Sequence, residues 1–167
     1  TFTTDNFYKT KDRNPYLRLT RTKIDQLNII SHRGNIHGPN KSEENRPDII
    51  KKRLEEGYQV EVDVWFFNEE FYFGHDAPKY RLVDYLDLSQ IAQLLLHPDI
   101  WLHAKNIDAL NSLKSIGAHC FWHENDRFTL TSRGFIWTYP GESETSVSSV
   151  LMLADESSEL INIEELT

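Results

Sequence analysis

Residues 60–64 read Val60-Glu61-Val62-Asp63-Val64, and this stretch decides the predicted fold. Because side chains alternate across a strand, the three valines share one face and the two carboxylates share the other. Strands of a parallel sheet are normally apolar on both faces, so two acids at this spacing need an explanation. One explanation is an edge strand with a solvated face. The other is a pair of oxygen ligands for Mg²⁺ or Ca²⁺ at the mouth of a barrel.

Polar side chains recur where further predicted strands end. His32, His75 and His103 each lie at or near the carboxyl end of an apolar run, and Arg33 and Lys105 accompany two of them. Active sites of parallel α/β folds lie at the carboxyl ends of strands. Together with the two acids, these residues supply imidazoles for proton transfer near neutral pH, ligands for a hard cation and two permanent positive charges. This combination is suited to attack on a phosphate ester.

The rest of the chain alternates short apolar runs with helical patterns. Helices are predicted over Pro47–Glu56, Asp87–Leu96 and Ile107–Ile116. Strands are predicted over Leu27–Ser31, Tyr58–Phe67, Phe71–Gly74 (a hairpin return), Ile100–Lys105, Ala118–His123, Phe128–Thr131, Phe135–Tyr139 and Val150–Ala154. This alternation predicts an α/β fold with parallel strands and right-handed crossovers. Residues 27–167 fall well short of the ~250 residues of a complete barrel, so we expect an incomplete or compressed TIM-type (β/α) barrel after an N-terminal arm, residues 1–26.

Composition narrows the class of protein. The chain has 167 residues, of which 39% are hydrophobic and 26% are charged, as in one globular domain. Its formal net charge of −8 argues against nucleic acid as a partner. No apolar run reaches the ~18 residues of a transmembrane helix. The single Cys120 lies in an apolar run, which indicates a buried thiol in a reducing compartment and a cytoplasmic location.

Aromatic residues in the second half of the chain allow two interpretations. Trp122, Trp137 and Tyr139 could line a pocket for a glycerol or sugar face, or they could pack in the core. Trp137 is the best substrate-binding candidate of the three, since it lies late in a strand and shares a face with Tyr139. By the same reasoning His123, which is near a strand end, is favoured over His119 as a pocket residue.

Four motifs along the chain resemble a known family. His32-Arg33-Gly34, Glu44-Asn45, Glu61-x-Asp63 and Gly74-His75-Asp76 follow one another in the order typical of glycerophosphodiester phosphodiesterases. Three later segments, residues 101–106, 121–124 and 136–141, resemble a short branch of that family that accompanies bacterial surface-polysaccharide genes. The resemblance covers residues 27–141, and the N-terminal arm and the C-terminal tail lie outside it.

The resemblance implies a function and a set of roles. The function is metal-dependent hydrolysis of a glycerol- or polyol-phosphate diester, in a small molecule or a polysaccharide. A substrate hydroxyl would attack the neighbouring phosphorus, and the cyclic phosphate would then be hydrolysed. The implied roles are general acid and base for His32 and His75, metal binding for Glu61 and Asp63, and phosphate or substrate binding for Arg33, Glu44 and Lys105.

The sequence departs from the family at two positions. The third metal ligand of the family is a Glu two residues before the lysine, and here that position is His103. Imidazole suits Mn²⁺ or Zn²⁺ better than Ca²⁺, so these ions join Mg²⁺ and Ca²⁺ as candidates. The family's Pro before Glu-Asn is Glu43. His103 and the short chain also favour an alternative, a non-catalytic binding module for a phosphorylated sugar or lipid headgroup. A lyase that stops at the cyclic phosphate is a third hypothesis.

Overall fold

The computed structural model describes residues 2–3, 29–139 and 149–150. The strands are β1 Phe2–Thr3, β2 Ile29–His32, β3 Gln59–Phe67, β4 Glu70–Phe73, β5 Tyr80–Arg81, β6 Ile100–Ala104, β7 Cys120–Phe121, β8 Phe128–Leu130, β9 Ile136–Thr138 and β10 Ser149–Val150. The helices are α1 Pro47–Glu55, α2 Leu88–Leu95 and α3 Ile107–Ser115, with a 3₁₀ turn at Leu82–Asp84. The predicted arm lies outside the described residues except for β1, and so does the predicted strand 150–154 except for Val150.

Local sequence signals explain where the three helices begin. Pro47 occupies the first turn of α1, where its missing N–H costs nothing. The Asp87 side chain accepts a hydrogen bond from the main-chain N–H of Gln90 at 2.8 Å, and the Gln90 side chain completes a capping box at the start of α2. The Asn106 side chain caps α3 in the same way, by accepting from the N–H of Ala109. All three predicted helices are confirmed, with ends that differ by one residue.

In the described residues, seven strands form one mixed sheet. β1, β2, β3, β6 and β7 are neighbours in that order and run parallel, whereas β4 and β5 are antiparallel additions. The carbonyl of Glu61 accepts a hydrogen bond from the N–H of Arg33, and the carbonyl of Asp63 accepts one from the N–H of Gly74. The main-chain groups of the odd-numbered residues of β3 therefore form hydrogen bonds toward the same edge of the strand. β2 occupies the first half of this edge, and the β4 hairpin occupies the second half.

The predicted barrel is wrong. Within the described part of the chain, β1 and β7 each pair with a single strand, so the sheet is open rather than closed. Among the described residues, β8, β9 and β10 instead form a separate three-stranded sheet, in which β9 pairs antiparallel with β8 and parallel with β10. Strand–helix–strand alternation predicts which strands are neighbours, but closure depends on where the later strands pair. The fold is thus a mixed α/β fold with three helices in its described part.

The two faces of the large sheet carry different cores. On one face, Val60, Val62 and Val64 are fully buried in a cluster that also contains apolar residues of all three helices. On the other face, a smaller cluster joins the large sheet to the β8–β10 sheet through Ile30, Trp101, Phe121, Trp137 and Val150. The carboxylates of β3 share this second face. The edge-strand interpretation is therefore wrong, because β3 has partners on both edges and both of its acids are buried.

Candidate metal centre

Two adjacent parallel strands bring three metal-ligating residue types together. Asp63 of β3 lies directly opposite His103 of β6 in the strand register, and Glu61 lies two residues earlier on the same face. One ligand atom from each of the three lies within 4.8 Å of the other two. All three residues are buried, with exposed fractions of 1% for Glu61, 0% for Asp63 and 8% for His103. This cluster could hold a metal ion.

The donor atoms suit a cation. Nδ1 of His103 lies 3.1 Å from Oδ1 of Asp63 and 3.8 Å from Oε1 of Glu61. Oδ1 of Asp63 is buried and, within the described residues, accepts no hydrogen bond. A buried carboxylate oxygen without a hydrogen bond is costly unless a positive charge compensates it. Two carboxylates and one imidazole fit a divalent ion, and they do not by themselves decide which one.

Permanent positive charges also surround Asp63. Nε of Arg33 lies 3.0 Å from its Oδ2, and Nζ of Lys105 lies 3.5 Å from its Oδ1. Burial alone would raise the pKa of Asp63. The contact with His103 and the charges of Arg33 and Lys105 outweigh burial and hold that pKa well below its ordinary value. Asp63 is therefore ionised across the physiological pH range.

Glu61 has the opposite tendency. Burial and the neighbouring charge of Asp63 raise its pKa, and the nearby histidines and Arg33 offset only part of this effect. Its Oε2 accepts a hydrogen bond from the main-chain N–H of Arg33 at 3.2 Å and lies 3.6 Å from Nε2 of His32. These contacts place His32, predicted to be catalytic, and Arg33, predicted to bind phosphate, beside the acids.

Asn45 is a component of the site that the sequence reasoning missed. Its side-chain Nδ2 donates to Oδ2 of Asp63 at 2.9 Å, and its Oδ1 accepts from the N–H of Asp63 at 3.0 Å. Asn45 is buried and has a positive φ of 60°, a conformation that Asn tolerates better than most residues. Its neighbour Glu44 lies 3.5 Å from Nη1 of Arg33. The signal was present in the Glu44-Asn45 motif, where only the acid was given a role.

The predicted catalytic residue His75 has its main chain at the site but its ring at the surface. The N–H of Gly74 donates to the carbonyl of Asp63, so His75 leaves β4 at the edge of β3 that β2 also occupies. Its imidazole Nδ1 lies 2.7 Å from Oδ1 of Asp76, and its side chain is 38% exposed. The backbone thus brings His32 and His75 to the same edge of β3, while the polar contact of the His75 ring is with Asp76.

Aromatic rings pack against His103 beside the two acids. His103 stacks against both Phe121 and His123. Burial, together with the neighbouring His103 and Lys105, lowers the pKa of His123 to about 4. Trp137, the predicted substrate-binding aromatic, is only 3% exposed and stacks on Phe121 at 4.6 Å in the second core cluster. A ring so deeply covered offers little surface to a substrate.

Comparison with family models, curated proteins and solved structures finds no match for this chain. Among the helices that the structure describes, none has the length and apolar character needed to cross a membrane.

Proposed function

We propose that this protein is a metal-dependent phosphodiesterase that acts on a glycerol- or polyol-phosphate diester. The observation that carries the proposal is the convergence of Glu61, Asp63 and His103 in one buried cluster, with Arg33 and Lys105 against the same carboxylate. The ordered motifs that resemble glycerophosphodiester phosphodiesterases support the same conclusion independently of the coordinates.

The charges of the centre suit a phosphodiester. Arg33 pairs with Glu44 and Asp63, and Lys105 pairs with Asp63, at N–O distances of 3.0–3.5 Å. Glu61 adds a third carboxylate on the same face of β3 as Asp63. Counting only these five side chains in their charged forms, the three acids and two bases sum to −1, and adding a divalent cation brings the sum to +1. A phosphodiester carries one negative charge, so the loaded centre and the substrate would be complementary. A bound divalent cation would polarise the phosphoryl oxygens and neutralise the charge that builds on them.

The histidines would move the protons. One of His32 and His75 removes the proton of a substrate hydroxyl while its oxygen forms a bond to the neighbouring phosphorus. The bond from phosphorus to the leaving alkoxide breaks, and the other imidazole donates a proton to that oxygen. In the second step the roles reverse, and water opens the cyclic phosphate. Arg33 and Lys105 hold the phosphoryl oxygens throughout.

The candidate metal ions are proposed from the chemistry of the ligand atoms. Carboxylate oxygens favour Mg²⁺ or Ca²⁺, whereas the imidazole of His103 favours Mn²⁺ or Zn²⁺. The proposed partner is therefore a phosphodiester in a small molecule or a polysaccharide, used with one of these ions. The cytoplasmic location stays a prediction that depends on the buried thiol of Cys120.

The test is hydrolysis of glycerophosphodiesters and of a polyol-phosphate polysaccharide by the full chain with each of the four ions. His32→Ala and His75→Ala should each lower kcat at least ~100-fold, the usual scale of general acid–base catalysis. His97→Ala is the matched control, because His97 precedes β6 at the end remote from His103. Unchanged turnover in both variants, alongside an active wild type, would show that the activity belongs to other residues. Phosphorus NMR of the products separates a hydrolase from a lyase that stops at the cyclic phosphate.

One observation favours the alternative of a non-catalytic binding module for a phosphorylated sugar or lipid headgroup. The ring of His75 contacts Asp76 in an exposed loop, whereas a general acid has to reach the leaving oxygen. Calorimetry distinguishes the two functions. Heat of binding to glycerol phosphate without turnover, and without a requirement for metal, would support the binding module.

A further inference from the structure

The imidazole of His103 lies on a platform of two neighbouring rings. The ring centroids of Phe121 and His123 are 6.0 Å apart and their planes differ by 4°. The plane of His103 is parallel to both, with centroid distances of 4.9 Å and 4.5 Å. Two stacking gaps of ~3.5 Å would separate rings on opposite faces by more than 6.0 Å, so Phe121 and His123 lie side by side on one face of His103. We call this pair of rings the ring platform.

A main-chain contact fixes the rotation of the same imidazole. Nε2 of His103 lies 3.4 Å from the carbonyl oxygen of His123. A carbonyl can only accept a hydrogen bond, so Nε2 is the nitrogen that carries hydrogen in this contact. Nδ1, the other nitrogen, faces the carboxylates of Asp63 and Glu61. The partner of one imidazole nitrogen decides which nitrogen is left to bind a metal.

We propose that His123 is a positioning residue of the metal centre, which holds the imidazole of His103 by its ring and its carbonyl so that Nδ1 is presented to the ion. The inference depends on the metal centre proposed above and not on hydrolysis. An imidazole has a single lone-pair direction, so its plane and rotation have to be fixed before the ion binds. His123 rather than Phe121 is the residue in question, because it supplies both the carbonyl contact and the closer ring.

The ring contribution can be isolated by substitution, since every variant keeps the main-chain carbonyl. Co²⁺ is the probe, because its visible absorption reports the geometry and type of its ligands. The full-length wild type should bind one Co²⁺. His123→Ala, which removes half of the ring platform, should weaken Co²⁺ about 10–100-fold, the usual cost of losing a residue that orients a metal ligand. His123→Phe restores a flat ring and should bind within about threefold of the wild type. Thermal melting of each variant reports whether it is folded.

The outcomes separate the possible roles of His123. Unchanged Co²⁺ affinity in His123→Ala would overturn the proposal. Equal loss in His123→Ala and His123→Phe would also overturn it, since the imidazole itself would then be a ligand. The Nδ1 atom of His123 is buried and, in the described part of the chain, makes no hydrogen bond. No binding by the wild type would refute the metal centre itself, whereas wild-type binding with an unaffected His123→Ala would refute this inference alone.

A second measurement does not depend on a folded variant. In the Zn²⁺-loaded wild type, ¹⁵N-edited NMR of His103 should show Nδ1 bound to the metal and a proton retained on Nε2. Coordination through Nε2 would overturn the proposal, because the contact with the carbonyl of His123 would then be absent.

Discussion

Asp63→Asn is the substitution that most directly perturbs the centre. It keeps the size of the side chain and removes the charge that Arg33 contacts at 3.0 Å and Lys105 at 3.5 Å. Asp63 is fully buried, and the side chains of Arg33 and Lys105 are only 19% and 18% exposed, so water compensates the lost carboxylate charge only in part. We therefore expect the metal-free variant to be less stable than the wild type.

The expected loss follows from the burial of the pair. Removing one partner of a buried ion pair costs about 3–5 kcal/mol. Part of this is recovered here, because the charge of Asp63 repels Glu61 and raises its pKa. We therefore expect a loss of about 3 kcal/mol in the free energy of unfolding, the lower end of that range. The direction in which this contribution to stability changes with pH follows as well. The pKa of Asp63 is depressed by folding, so its contribution is present at neutral pH and is lost as the pH falls below the unfolded-state pKa of ~3.9.

The matched control is Asp48→Asn. Asp48 also pairs with an arginine, Arg46, at 2.7 Å, but its side chain is 51% exposed. Exposed pairs contribute about 0–1 kcal/mol, so this variant should unfold nearly as the wild type does. The measurement is urea unfolding of the metal-free full chain, followed by circular dichroism at pH 7. Equal midpoints for the two variants would refute the view that Asp63 holds the centre together.

Other substitutions test neighbouring parts of the structure. Gly74 has a φ of 149°, and a Cβ there would collide with the carbonyl oxygen of Ala77, so Gly74→Ala should destabilise by well over about 1 kcal/mol in thermal unfolding. Gly57 also has a positive φ, of 88°, but no atom lies within 4 Å of an added Cβ, so Gly57→Ala should cost only about 1 kcal/mol. Equal losses in the two variants would contradict the steric argument. Asn45→Ala leaves the buried main-chain N–H of Asp63 without its acceptor, while Oδ2 of Asp63 keeps its contact with Arg33, and should lower the urea midpoint by an amount equivalent to about 1–3 kcal/mol. Burial lowers the pKa of His119 to about 4, so its contribution is present above the unfolded-state pKa of ~6.5 and declines as the pH falls toward 4. Between pH 7 and pH 5 this loss should be about 1 kcal/mol after solvent screening and should vanish in His119→Gln; an unchanged pH dependence would contradict it.

Local patterns in the sequence were sufficient for much of the fold. Helical patterns of apolar residues located the three helices, and alternation located β3 and its two faces. The Phe71–Gly74 segment was predicted as a hairpin return, and β4 does pair antiparallel with β3. These features depend on residues close together in the chain, which is why they can be predicted from it.

Barrel closure could not be predicted in this way. Whether a late strand joins the end of the first sheet or starts another depends on contacts between distant segments. Trp137 shows the difficulty. The alternating pattern of its segment fits a strand in either sheet, and the rings that it contacts, Trp101 and Phe121, belong to two other strands. The ring orientation of His75 depends on its loop in the same manner. The role of Asn45 was missed because an amide carries no charge to draw attention to it.

The most direct test of the metal centre is a crystal structure of the full chain soaked in Mn²⁺, with anomalous diffraction to locate the ion. We expect one strong peak in contact with a carboxylate oxygen of Glu61, a carboxylate oxygen of Asp63 and Nδ1 of His103. A peak only at other residues, or a cluster that stays metal-free at saturating Mn²⁺, would contradict the account.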